Sequence, residues 1–114
     1  MKLHLNSWQR IALTQIIGDV EGNVSILRKA AKILDVLDLN DEEKKLINYQ
    51  VHEVGTITFE NTHFFDLEIS DSELIQFLQG ELTNHNWPRG LFGNLEIRRW
   101  MFDLYEQVGV LNGR

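Results

Sequence analysis

The chain has no cysteine. That excludes disulfides, thiolate metal sites and cysteine nucleophiles, and it suits a reducing cytoplasm. No apolar run approaches the roughly 20 residues needed to cross a bilayer, so no membrane partner is expected. The first residues carry one Lys and then an amphipathic stretch, which is not the layout of a signal peptide. The cytoplasm is therefore the expected compartment. The most informative shortage is of one charge sign. Between Leu46 and Pro88 there is no Lys and no Arg. The same stretch holds seven carboxylates: Glu53, Glu60, Asp66, Glu68, Asp71, Glu73 and Glu81. The other ten carboxylates meet eleven Lys and Arg, a balance of +1, so the net charge of −6 originates in the middle of the chain. Three of the four histidines, His52, His63 and His85, also lie there. Affinity for nucleic acid comes mainly from Lys and Arg that displace counterions, so direct nucleic-acid binding is not expected.

What is present describes one globular domain spanning 1–114. The composition, 43% hydrophobic and 25% charged, is ordinary for such a domain. Folding at this size buries roughly 65% of the unfolded chain's surface, enough for one core. Leu3 and Leu5 flank His4, an alternation that fits a short strand or a packed arm. From Trp8 the apolar residues recur at helical spacing, through Leu13, Ile16 and Ile17, and predict a helix over about 7–17 with Ser7 as its cap. Asn23 caps a second helix over about 24–37. Its two apolar stripes, Val24–Leu27–Ala31–Leu34 and Ile26–Ala30–Ile33–Leu37, make it the expected centre of the core. Asn40 and Glu43 form an N-x-x-E capping box that opens a short helix over 41–48. The period then changes to two. Val51, Ile57, Phe59, Phe65, Leu67 and Ile69 alternate with polar residues and predict a three-stranded antiparallel meander at about 50–54, 56–60 and 64–69. On its last strand Phe65, Leu67 and Ile69 face inward, and Asp66 and Glu68 outward. Ser70-x-x-Glu73 reads as a capping box for a fourth helix from about 71. Asn94 and Gly109 bracket a fifth over 95–108. The expected fold class is thus α+β, one domain with a core of about five helices and a small three-stranded meander.

Two constellations stand out. The first is the acidic surface, where Glu53, Glu60, Asp66 and Glu68 lack a basic partner in their own segment. A surface of one sign attracts a partner of the other and speeds encounter. The alternatives are a solvated face, or ion pairs with the second helix. The second is the loop from His85 to Gly93. It gathers Trp87, Pro88, Arg89, Leu91 and Phe92, and large aromatics and Arg are the types enriched at binding hot spots. The competing reading is that Trp87 and Phe92 fold back onto the core.

Chemistry finds less support. His52, Glu53, His63 and Asp66 offer nitrogen and oxygen ligands, but their spacing matches no zinc pattern such as H-E-x-x-H, and isolated surface histidines explain them. None of Ser7, Ser25, Ser70 or Ser72 sits in G-x-S-x-G. Gly18-Asp19-Val20-Glu21-Gly22 lacks the Lys of a phosphate loop, so no cofactor is expected. Three helices followed by a meander also suggest a winged helix. The recognition helix would begin Asp41-Glu42-Glu43, however, and the wing would lack any Lys or Arg, which opposes DNA binding.

The stretches Trp8-Gln9-Arg10-Ile11-Ala12-Leu13, Ile16-Ile17-Gly18, Glu21-Gly22-Asn23 and Ile26-Leu27-Arg28-Lys29, with Asn40-Asp41-Glu42-Glu43 and Asp103-Leu104-Tyr105-Glu106, resemble small phage and prophage proteins of unassigned function. The resemblance covers about half the chain. It implies an origin on a mobile element and carries no activity with it. The expectation is a non-enzymatic acidic module that binds another protein with a basic surface, as a phage-encoded modulator of a host protein would. The alternatives are an assembly protein that forms a homodimer through Trp100, Phe102, Tyr105, Val110 and Leu111, and a small metal-dependent hydrolase.

Overall fold

The computed structural model describes residues 1–110. The described residues form an α+β domain with five α-helices and two small antiparallel sheets. Strand β1 is Lys2–Asn6 and leads without a loop into α1, Ser7–Gly18. Then follow α2 (Val24–Leu37), α3 (Asp41–Leu46), the short strands β2 (Gln50–Val51) and β3 (Ile57–Thr58), strand β4 (Phe64–Glu68), α4 (Ser72–Asn84) and α5 (Leu95–Val108). A single 3-10 turn, Leu91–Gly93, precedes α5.

The expected three-stranded meander is not formed. Strands β2 and β3 make a hairpin of their own, with Gln50 opposite Thr58 and Val51 opposite Ile57. Strand β4 leaves that hairpin and pairs antiparallel with β1, placing Leu3 opposite Leu67, His4 opposite Asp66 and Leu5 opposite Phe65. The reason is a match of faces. Leu3 and Leu5 alternate with the same period as Phe65, Leu67 and Ile69, so pairing them lays one continuous apolar face on the helices. Leu3 and Leu5 are fully buried, as are Ile33, Leu78 and Leu104 from three helices. Each such side chain stabilises the fold by roughly 1.5–3 kcal/mol relative to exposure. Asp66 and Glu68 point outward, as the alternation requires.

The centre of the core is α1 with β1, not α2. Helix α1 packs on β1, α2, α4 and α5. On α2 only Ala30, Ile33 and Leu37 are buried, while Val24 and Leu27 in its first turn stay exposed. The N-cap of α1 is Asn6 rather than Ser7. Its side chain accepts from the Gln9 amide at 2.8 Å, and the Gln9 carboxamide accepts from the Asn6 amide at 2.9 Å. Ser7 is the first helical residue, and its buried hydroxyl has no hydrogen-bond partner among the described residues. Asn6→Ala is therefore expected to cost about 1–2 kcal/mol. Ser7→Ala is expected to be neutral or stabilising, because an unsatisfied buried hydroxyl disappears. Urea midpoints of the two variants distinguish the caps. In the same way α4 is capped by Asp71, whose carboxylate accepts from the Glu73 and Leu74 amides, and not by Ser70. The caps Asn23, Asn40 and Asn94 lie where the sequence places them. Gly109 ends α5 in the left-handed conformation at φ 86°, which a side chain disfavours.

One buried cation ties α1 to the helices that follow. The Arg10 guanidinium donates from Nε to Leu37 O at 2.7 Å and from Nη2 to Asp38 O at 3.0 Å, so it serves the free carbonyls at the C-terminus of α2. It also forks onto Glu43, with contacts of 2.6 and 3.1 Å, and lies 4.8 Å above the Phe65 ring. Burial alone raises the pKa of the Glu43 carboxyl. The Arg10 hydrogen bonds, the Asn40 amide and the Arg10 charge outweigh it and hold the pKa below its ordinary 4.5. A carboxylate depressed in the folded state adds stability that is present above its unfolded pKa and is lost as pH falls through the folded value. Stability is thus expected to drop below about pH 4.5 more steeply in the native chain than in Glu43→Gln. Chemical unfolding at pH 7 and at pH 3 measures the difference.

Candidate functional site

The clearest concavity with an apolar lining lies between α1, the β2–β3 hairpin and the loop after α4. It is an open groove of about 340 Å³. Helix α1 contributes Trp8, Ile11, Ala12, Gln15 and Ile16, with Asp19 at its end; the hairpin side contributes Gly55, Ile57 and Phe59; the loop contributes His85, Trp87, Pro88 and Leu91. Each element arrives there for a local reason. The i, i+4 spacing of Trp8, Ala12 and Ile16 puts them on one line of α1, half-buried at Trp8 and Ala12 and buried at Ile16. The hairpin closes through His52, whose amide donates to Thr56 O while its carbonyl accepts from Gly55 N, both at 2.8 Å; Gly55 has φ 79°. Beyond it the Glu60 amide bonds to Ile47 O at 2.7 Å, and Asn61 Oδ1 accepts from the Trp8 amide at 3.0 Å. These bonds moor the hairpin beside α1.

Trp87 folds back onto the core, the competing reading of its loop, and also lines the groove. Its indole Nε1 donates to the Tyr105 hydroxyl at 2.9 Å, and that hydroxyl donates to Leu82 O at 2.6 Å. Its ring stacks on Trp8 at 5.9 Å, Trp8 contacts Trp100 at 5.7 Å, and the His85 ring meets Trp87 edge-on at 4.8 Å. All three tryptophans of the chain thus form one cluster, of which Trp8 and Trp87 line the groove. Such a floor is held rigid by neutral hydrogen bonds and ring contacts, which suits it to receive an apolar side chain.

The remaining members of the loop go elsewhere. Arg89 is exposed and does not line the groove. Phe92, 52% exposed, turns toward α5, meets Phe102 edge-to-face at 5.7 Å and lies beneath the Arg98 guanidinium. Leu95, in the first turn of α5, is exposed as well. Of the side chains expected to mediate self-association, Trp100, Tyr105 and Val110 are half-buried and Phe102 is exposed; Leu111 lies outside the described residues.

Glu53, Glu60, Asp66 and Glu68 are all exposed but not gathered in one place. Glu53 sits in the β2–β3 turn and Glu60 follows Phe59. Asp66 and Glu68 share the outer face of β4 with Lys2 and His4 of β1 opposite them. The His4 imidazole meets the Asp66 carboxylate at 2.7 Å and stacks on Phe64 at 4.6 Å. The partner of the middle segment is thus the first strand and not α2, whose basic residues form no ion pair among the described residues. The outer edge of β1 is closed by the Gln107 carboxamide, which accepts from the His4 amide at 2.7 Å and donates to the His4 carbonyl at 2.9 Å, as a neighbouring strand would. His52, Glu53, His63 and Asp66 do not converge: His52 bonds to Thr58, His63 to Thr62 and Asp66 to His4. Among the described residues no three His, Asp or Glu side chains gather as a metal site requires, and no helix is long and apolar enough to cross a membrane.

No family model, curated protein or solved structure matches this chain.

Proposed function

We propose that this protein is a non-enzymatic acidic module that docks another protein. The groove between α1, the hairpin and the Trp87 loop is the observation that carries the reading. It exposes a rigid aromatic floor with no Lys or Arg in its lining, and Glu53 and Glu60 flank the hairpin strand beside it. An apolar floor with a carboxylate rim is the usual division of labour at a docking surface, where the centre supplies affinity and the rim steers encounter. The partner then has a basic surface around an apolar anchor. The resemblance to small phage and prophage proteins supplies a setting, in which the chain acts in the host cytoplasm on a host protein without touching nucleic acid itself. Capture from host lysate with the native chain, compared with Glu53→Gln and Glu60→Gln combined, tests the rim, and Asp66→Asn with Glu68→Gln, on the outer face of β4, tests the rest of the acidic surface. Loss of one native partner is the expected result, and equal recovery removes the acidic surface from the interface.

Self-association is the second reading, favoured by the exposed, mutually packed Phe92 and Phe102 and by the exposed Leu95. Light scattering after size exclusion decides it. A monomer at high concentration ends that reading and leaves the groove for a foreign partner.

A further inference from the structure

We infer that β4 takes up an antiparallel strand of a partner protein along its open edge, with Lys or Arg of that strand opposite Asp66 and Glu68. Strand β4 contributes nothing to the groove lining, so this is a second place of contact. The hydrogen bonds of the sheet define the edge. Met1 and Ile69 exchange both backbone bonds, at 2.7 and 2.9 Å. Bonded and non-bonded pairs alternate along an antiparallel ladder. Leu3 with Leu67 and Leu5 with Phe65 are therefore the next bonded pairs. Lys2, His4 and Asn6 on β1, and Glu68, Asp66 and Phe64 opposite them, turn their amides and carbonyls away from the ladder. On β1 the Gln107 carboxamide serves both groups of His4, and the Gln9 carboxamide accepts from the Asn6 amide. On β4 nothing replaces them: the amides and carbonyls of Phe64, Asp66 and Glu68 have no partner among the described residues. An edge of this kind is a template for an added strand, whose main-chain bonds supply affinity and whose alternate side chains supply specificity.

The side chains select what is added. Phe64, Asp66 and Glu68 share the outer face, and β4 carries no Lys or Arg. The Asp66 side chain is 87% exposed, and His4 engages only its Oδ1; Glu68 has no ion pair among the described residues. Opposite charges directly across a sheet stabilise it, and like charges oppose pairing. A second copy added antiparallel about Asp66 sets that carboxylate against its own counterpart, which disfavours self-pairing. A strand with Lys or Arg at alternate positions sets a cation opposite each carboxylate. Its intervening residues face inward beside Leu67, which is only half-buried although it packs on the core, so apolar residues suit them.

Amide hydrogen exchange of the full chain, titrated with a short peptide of alternating valine and lysine, tests the edge. Two counterparts serve as controls, one with every lysine replaced by glutamine and one methylated at the backbone nitrogen of each lysine. The lysine peptide is expected to slow exchange at the Phe64, Asp66 and Glu68 amides. It is expected to bind at least about fivefold more tightly than the glutamine peptide. Methylation keeps the charge and removes the donors that face β4, so that peptide is expected to bind at least about tenfold more weakly. Asp66→Pro removes an edge amide that makes no ladder bond, so the chain is expected to keep its fold and lose the peptide. Unchanged exchange at the three amides, or equal binding of the methylated peptide, overturns strand addition. Equal binding of the lysine and glutamine peptides overturns the cationic partner strand. Docking in the groove stands in each of these cases.

Discussion

Arg10→Met is expected to lower the free energy of unfolding by about 3 kcal/mol or more. The side chain is only 3% exposed, and four of its hydrogen bonds go to three different places: the end of α2, the residue after it, and Glu43 of α3. Methionine keeps much of the stem's packing but abandons two C-terminal carbonyls and a largely buried carboxylate. The stranded carboxylate counts most, because a charge held partly out of water without its partner costs more than the pair contributes. Adding Glu43→Gln to Arg10→Met is therefore expected to recover part of the loss, a coupling that a double-mutant cycle reads directly. Arg10→Lys retains the charge and not the fork, so it should fall well short of the native chain. Urea unfolding measures all four proteins. A loss below about 1 kcal/mol in Arg10→Met would mean that the junction of α1, α2 and α3 closes without the guanidinium, as at a solvated surface pair.

Leu5→Ala is expected to cost about 3 kcal/mol, within the range for truncating a fully buried leucine. Phe64→Ala, on the outer face of the same sheet and 59% exposed, should cost under about 1 kcal/mol despite removing the larger side chain. The contrast tests the pairing of β1 with β4. If the first residues were a loose arm and β4 the third strand of a meander, Leu5 would matter little. Thermal or urea unfolding of the two variants separates these topologies.

The helices were legible because their signals are local. Asparagine before an apolar repeat marks α2, α3 and α5 correctly, since a cap and its target amides lie within four residues. Asn6 and Gln9 carry the same motif as Asn40 and Glu43, and the neighbouring serine concealed it. Strand faces were also legible, because alternation is a property of the strand itself. Strand partners were not. Leu3 meets Leu67 across the length of most of the chain, and only the complete set of buried faces selects that pairing over the nearer one. The same limit hid Arg10, a single cation beside an apolar stripe whose acceptors lie 27 to 33 residues away. At the candidate site Trp87 was found from its loop and Phe92 with it, but the structure sends the two in different directions. Trp8, Asp19 and Phe59 join Trp87 only through the tertiary fold.

Site-specific photocrosslinking in living cells tests the docking account most directly. A photoreactive residue replaces Gln15, which is exposed on α1 and lines the groove, and in a second protein replaces Gln76, which is exposed on α4 and does not line it. The account predicts one discrete protein adduct from position 15, absent from position 76. No adduct from position 15, or the same adducts from both positions, would contradict it.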